Sequence, residues 1–169
     1  MNARKPFSGG SDWPAEGRSF FRSFAWALAG VASATRRERN LKLHWLAAYL
    51  VLAAGSFLDF LVSDWLWVFL AITLVISTEL INTAVEAAVD HAGGGPSPLA
   101  RLAKDAAAGA VLITSLFALI VLALVVVARN PDPRLVLGRL AQRPFFAGEL
   151  AAGFIVLAYL LFRPVRSDG

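Results

Sequence analysis

An apolar run long enough to cross a bilayer, residues 65–89, carries Glu79, Asn82 and Glu86 in its second half and ends at Asp90. Successive residues of a helix are turned by roughly 100°, so Glu79, Glu86 and Asp90 fall within about 40° of one another, with Asn82 about 60° to one side. A carboxylate at bilayer depth costs on the order of 2.5–3.5 kcal/mol even on lenient insertion scales, so such groups face a protein interior or a watery cavity and work there. The chain is thereby confined to folds that enclose an acidic stripe. An intramembrane active or transport site is the function such a stripe implies first.

The rest of the sequence agrees with a membrane setting. Of 169 residues, 57% are hydrophobic, which suits one integral membrane unit rather than several soluble domains. Cysteine is absent, which excludes disulfides, thiolate metal sites and cysteine nucleophiles. The net charge of +4 sits in so apolar a chain that it reads as headgroup contact and topology. No basic-aromatic groove pattern points to nucleic acid.

Residues 1–17 are rich in Gly, Ser, Pro and charge and read as a flexible cytosolic tail. Residues 18–34 interleave Phe20, Phe21, Phe24, Trp26 and Leu28 with Arg18 and Arg22, which predicts an amphipathic helix lying on the membrane. A first span is expected over 43–62, a turn at Asp59, Ser63 and Asp64, and a second span over 65–89. Three glycines and two prolines make 91–98 a loop, and a third span is expected over 106–128, opening on small residues that invite close helix approach. Residues 129–169 form an extension with a short interfacial helix and a fourth apolar segment, 145–162. The expected fold is all-α, a polytopic transmembrane bundle with an amino-terminal surface helix, three core spans and a fourth carboxyl-terminal one. Twelve Lys/Arg flank one side of such a bundle against four on the other, which puts both termini in the cytosol.

Under this topology Glu79 lies deeper than Glu86 by seven residues, about 10 Å. A lipid-borne acceptor could meet Glu79. Glu86 and Asp90, nearer the cytosol, could hold a hard cation, since Mg²⁺ is commonly bound by one or two carboxylates with waters and substrate phosphates. Glu38 lies on the same side among Arg36, Arg37 and Arg39, and Lys104 and Asp105 stand at the mouth of the third span. A lysine there suits a β- or γ-phosphate as a point charge. Gly93-Gly94-Gly95 is no Walker loop, because neither Lys-Ser/Thr nor a preceding strand accompanies it. Bland readings stand beside these: Asn82 as interhelical hydrogen-bond glue, Asp90 as a solvated helix-end charge, Glu38 as an interfacial ion pair, Lys104 as a snorkelling cation. A small cation or proton transporter using Glu79, Asn82 and Glu86 is the competing function.

Three blocks decide further. They are Phe24-Ala25-Trp26 with Gly30, Glu38-Arg39-Asn40 and His44; Glu79 through Glu86 with Asp90; and Ala103-Lys104-Asp105-Ala106 with Gly109 through Leu112. Their order and intervals, including thirteen residues between Asp90 and Lys104, resemble the prokaryotic diacylglycerol kinase/undecaprenol kinase family of integral membrane lipid kinases, over about residues 18–128. The resemblance implies an ATP-dependent kinase that phosphorylates a membrane lipid alcohol at the cytosolic face of the bacterial inner membrane. It implies Glu79 as general base with Asn82 orienting the centre, Glu38 and Glu86 as Mg²⁺ ligands, and Lys104 and Asp105 as nucleotide-binding residues. Gly95, Pro96 and Ser97 of the loop, and Trp26, would also lie against the ATP. The family's arrangement implies a homotrimer with sites composed between subunits. GGGPSP lacks the polar residues some relatives place there, and residues 129–169 lie outside the family core.

Overall fold

The computed structural model describes residues 20–56, 58, 60–92, 95, 97–129, 132–142 and 146–163. The amino-terminal tail and Pro96 lie outside them. Among the described residues the ordered elements are six helices: α1 (Phe20–Arg37), α2 (Arg39–Gly55), α3 (Val62–His91), α4 (Pro98–Arg129), α5 (Pro133–Gln142) and α6 (Phe146–Phe162). The all-α expectation holds. Helices α3 and α4 form an antiparallel pair at the centre, α2 lies on α3, and α6 lies on α2; α1 touches α2, α3 and α6.

Helices α3 and α4 are long and apolar enough to cross a membrane. At 30 and 32 residues they reach about 45 Å, well beyond a hydrocarbon core of about 30 Å. At 17 residues each, α2 and α6 reach about 25 Å. The expected boundaries shift accordingly. Ser63 and Asp64 belong to the first turn of α3 instead of a loop, because the Asp64 carboxylate accepts the Leu61 N–H at 2.7 Å and so starts the helix earlier. Helix α4 starts at Pro98, eight residues before the expected third span. Ser97 Oγ accepts the Ala100 N–H at 3.0 Å, and proline at the first helical position costs no hydrogen bond.

A narrow apolar core joins the central helices: Val68 and Ala71 of α3 meet Val121 and Val125 of α4, with Phe60 closing the end. Phe60 stacks at a tilt on Trp65, ring centroids 5.3 Å apart. Gly55 permits this, since a Cβ there would stand 2.7 Å from both rings. Midway, Thr78 and Thr114 share a hydroxyl hydrogen bond of 2.8 Å across the pair. Leu112, Ile113, Leu116, Leu119, Ile120, Leu124 and Val127 of α4 remain exposed, a face that suits lipid tails or another helix.

The end of the pair remote from the 92–97 turn is locked by an ion pair. Arg129 Nε lies 2.8 Å from Asp64 Oδ2, and the side chains are only 25% and 9% accessible. Removing one partner of a buried pair strands the other charge and costs about 3–5 kcal/mol. Arg129→Met is therefore expected to lower the thermal midpoint in detergent markedly, and Asp64→Asn in the same chain to restore part of it. Equal midpoints for wild type and Arg129→Met, followed by circular dichroism, would show that the pair is solvated and contributes little.

Candidate active site

Glu79 is 2% accessible, although it is a carboxylate on an apolar helix. It lies fifteen residues beyond Asp64, about 22 Å along α3, and Glu86 lies about 33 Å along it. A hydrocarbon core of about 30 Å beginning near Asp64 thus ends between them. For a layer placed so, Glu79 falls inside it and Glu86 at its edge.

Glu79 lies near the break between α1 and α2. Glu38 is the residue before α2, with extended backbone (φ −89°, ψ 120°), and its side chain makes no capping hydrogen bond. There Asn40, Glu38 and Glu86 all lie close enough to act on the Glu79 carboxylate electrostatically. The junction is pinned by Trp45 Nε1 of α2 donating to Thr35 Oγ1 of α1 at 3.2 Å. Glu38 and Asn40 are neighbours of Glu79 that the acidic stripe does not announce, since both come from the break before α2 and the start of α2 and not from α3. The only signal for Asn40 was its place two residues after Glu38.

Asn82 Nδ2 donates to Glu86 Oε1 at 2.9 Å, a one-turn pairing on α3. Its other polar atom, Oδ1, is buried without a partner, which is an uncommon and costly condition for an amide oxygen. Among the described residues no three carboxylate or imidazole side chains form a metal cage. Glu38, Glu86 and Asn82 Oδ1 are nevertheless all hard oxygens, the donor type Mg²⁺ takes in small number when waters and phosphates complete its shell.

Beyond Glu86 the helices enclose an open mouth of about 780 Å³, lined by Asp90, Gly95, Ser97, Arg101, Lys104 and Asp105 among others. Lys104 Nζ is paired with Asp90 across the turn, and Arg101 Nε with Asp105 at 3.4 Å. Gly95 has φ +69°, a left-handed conformation that favours glycine and lets the chain reverse between α3 and α4. Of the residues the motifs single out, the fold thus gathers Glu38, Glu79, Asn82 and Glu86 in one cluster and Gly95, Ser97, Lys104 and Asp105 at the mouth. Trp26, 55% accessible on α1, does not line that mouth.

The sequence model of the prokaryotic diacylglycerol kinases matches residues 25–126, which includes both groups. The chain belongs to that family. As a member it is an ATP-dependent lipid kinase. Over 102 residues it is 41% identical to an undecaprenol kinase of Bacillus subtilis, covering 60% of this chain and 83% of that one. It is 40% identical over 100 residues to a diacylglycerol kinase of Synechocystis, covering 59% and 57%. With a diacylglycerol kinase of Helicobacter pylori it shares 32% over 102 residues, covering 59% and 78%. No solved structure matches the chain. The kinase match ends within α4, so α5 and α6 belong to an extension that the family description does not include.

Proposed function

We propose that the protein transfers the γ-phosphate of Mg-ATP to the hydroxyl of a membrane lipid alcohol, with the chemistry at the cytosolic face of the bacterial inner membrane. The observation that carries this reading is the burial of Glu79 near Asn40, Glu38 and Glu86, on a helix whose last turn holds Asp90, the partner of Lys104 on α4. Phosphoryl transfer asks a protein mainly for positioning and charge neutralisation, with a carboxylate to take the nucleophile's proton. Glu79, inside the apolar layer, accepts the proton of the lipid hydroxyl. The hydroxyl oxygen forms a bond to the γ-phosphorus as the bond to the β,γ-bridging oxygen breaks, and ADP leaves. Lys104 exchanges Asp90 for phosphate oxygens, with Asp105, Gly95 and Ser97 framing the nucleotide. Glu38 and Glu86 would hold Mg²⁺, which when bound neutralises phosphate charge; Asn82 keeps Glu86 in place.

Undecaprenol and diacylglycerol both present a hydroxyl at the interface. The Glu38-Arg39-Asn40 block with His44 favours the polyprenol, while identities of 41% and 40% to an undecaprenol kinase and a diacylglycerol kinase do not separate the two. Purified full-length protein given labelled ATP and each alcohol separately, with the products resolved, tests this. Phosphorylation of neither alcohol overturns the reading.

Residues 18–128 are the kinase core in this proposal, and the assembly is a homotrimer with composite sites. Within one chain Asp90, which holds Lys104, lies eleven residues beyond Glu79, about 16 Å along the axis. That separation favours a base from one subunit acting on nucleotide held by the next. Mixing Glu79→Gln with Lys104→Ala subunits is then expected to restore activity that neither variant has alone. Lack of recovery in demonstrated mixed oligomers would mean a site contained in one subunit.

A further inference from the structure

Helix α6 lies outside the family match, yet it is built into the helical body. Tyr49 of α2 donates its hydroxyl to the Leu150 carbonyl at 3.2 Å, and Gly153 leaves room for the tyrosine, since any Cβ there would collide with it. At the mouth end, the Lys42 ammonium stands 5.3 Å from the centre of the Phe162 ring. The two contacts run in opposite chain order, so α6 is antiparallel to α2 and its carboxyl end approaches the catalytic face.

Between α2, α3 and α6 a groove of about 550 Å³ remains, lined by Trp45, Ala48, Tyr49, Ile72, Ile76 and Leu157 among others. Its floor has a direct relation to the chemistry. Ile72, Ile76 and Glu79 are spaced i, i+4, i+7 and form one stripe of α3. The last α3 residue lining the groove is Ser77, two residues or about 3 Å along the axis before Glu79, which does not itself line it. A second groove of about 280 Å³ runs on the other side of the same isoleucines, between α2, α3 and α4, within the family core. The larger one takes Leu157 of α6 as part of its wall.

We propose that this groove receives the apolar chain of the acceptor lipid, and that α6 is a chain-specificity wall added to the family core. Proximity to Glu79 argues for this occupant: a hydrocarbon chain lying on Ile72 and Ile76 brings its hydroxyl end to the base, whereas a bulk lipid or a further helix would have no reason to stop there. The proposal rests on the kinase reading. Binding energy from the remote chain would then appear in catalysis at the hydroxyl, as expected when distant contacts orient a reacting group.

The test compares kcat/KM for short-chain and long-chain members of the prenols and of the diacylglycerols, using full-length protein in one detergent. Leu157→Trp fills the groove from α6, and the long-to-short ratio is expected to fall about tenfold, the size of effect that small steric changes in apolar pockets produce. Thr73→Trp fills it from α3 and is expected to reproduce the fall, so the result does not depend on how well one helix tolerates the substitution. Ile155→Trp, on the opposite, 64% accessible face of α6, is expected to keep the wild-type ratio. A wild-type ratio in folded Leu157→Trp or Thr73→Trp, or an equal loss on short and long acceptors, overturns the proposal. If wild-type protein phosphorylates no acceptor at all, the kinase reading itself has failed instead.

Discussion

Replacing Glu79 by glutamine is expected to lower turnover by about 10²–10⁴-fold, the range that removal of a general base produces. The amide keeps the volume but accepts no proton from the lipid hydroxyl. Nucleotide binding is expected to stay near normal, because the mouth around Lys104 and Asp90 lies beyond Glu86. Single-turnover kinetics with a separate nucleotide-binding measurement distinguishes the two effects. A variant keeping more than roughly a third of wild-type turnover, far outside that range, removes Glu79 from the role of base. The expectation is sharpened by burial: at 2% accessibility no water can easily substitute for the carboxylate.

The second large effect concerns Glu38 and Glu86. If both hold Mg²⁺, alanine at either removes one hard oxygen, and the Mg²⁺ requirement is expected to rise at least about tenfold to a hundredfold, the cost even of losing a supporting group around a metal. Glu86→Ala also leaves both polar atoms of Asn82 without a protein partner, so its loss of activity is expected to be the larger of the two. The two defects are expected not to multiply, because groups that act as a unit are non-additive. Mg²⁺ titrations of initial rate for both single variants and the double one give the cycle. Fully multiplicative losses would assign the carboxylates separate tasks.

The extension is where the fold changes the reading most. Residues 145–162 read as a fourth apolar segment without a role, because composition reports that a segment is apolar but not which neighbour it covers. Tyr49, Gly153 and Lys42 place α6 along α2, and each is unremarkable in the sequence. Arg129 is a similar case. In the sequence it is one of four Lys/Arg on the side remote from the termini, and its pairing with Asp64 depends on two helix ends meeting 65 residues apart in sequence.

The sequence by itself determined the helical class, the membrane setting and the acidic stripe of Glu79, Asn82, Glu86 and Asp90. Periodicity and burial cost act within one helix, so residues a few positions apart are related by fixed angles whatever the rest of the chain does. Helix ends were less legible, since Asp64 and Ser97 are turn-forming and capping residues alike, and only the hydrogen bonds to Leu61 and Ala100 separate the two uses. Tertiary structure alone decided that Glu38 and Asn40 lie near Glu79, that Lys104 meets Asp90 across two helices, and that Leu157 of α6 lines a groove with Ile72 and Ile76 of α3. Those relations depend on how separate helices pack, and packing is fixed by the combined shapes of side chains far apart in sequence rather than by any local pattern.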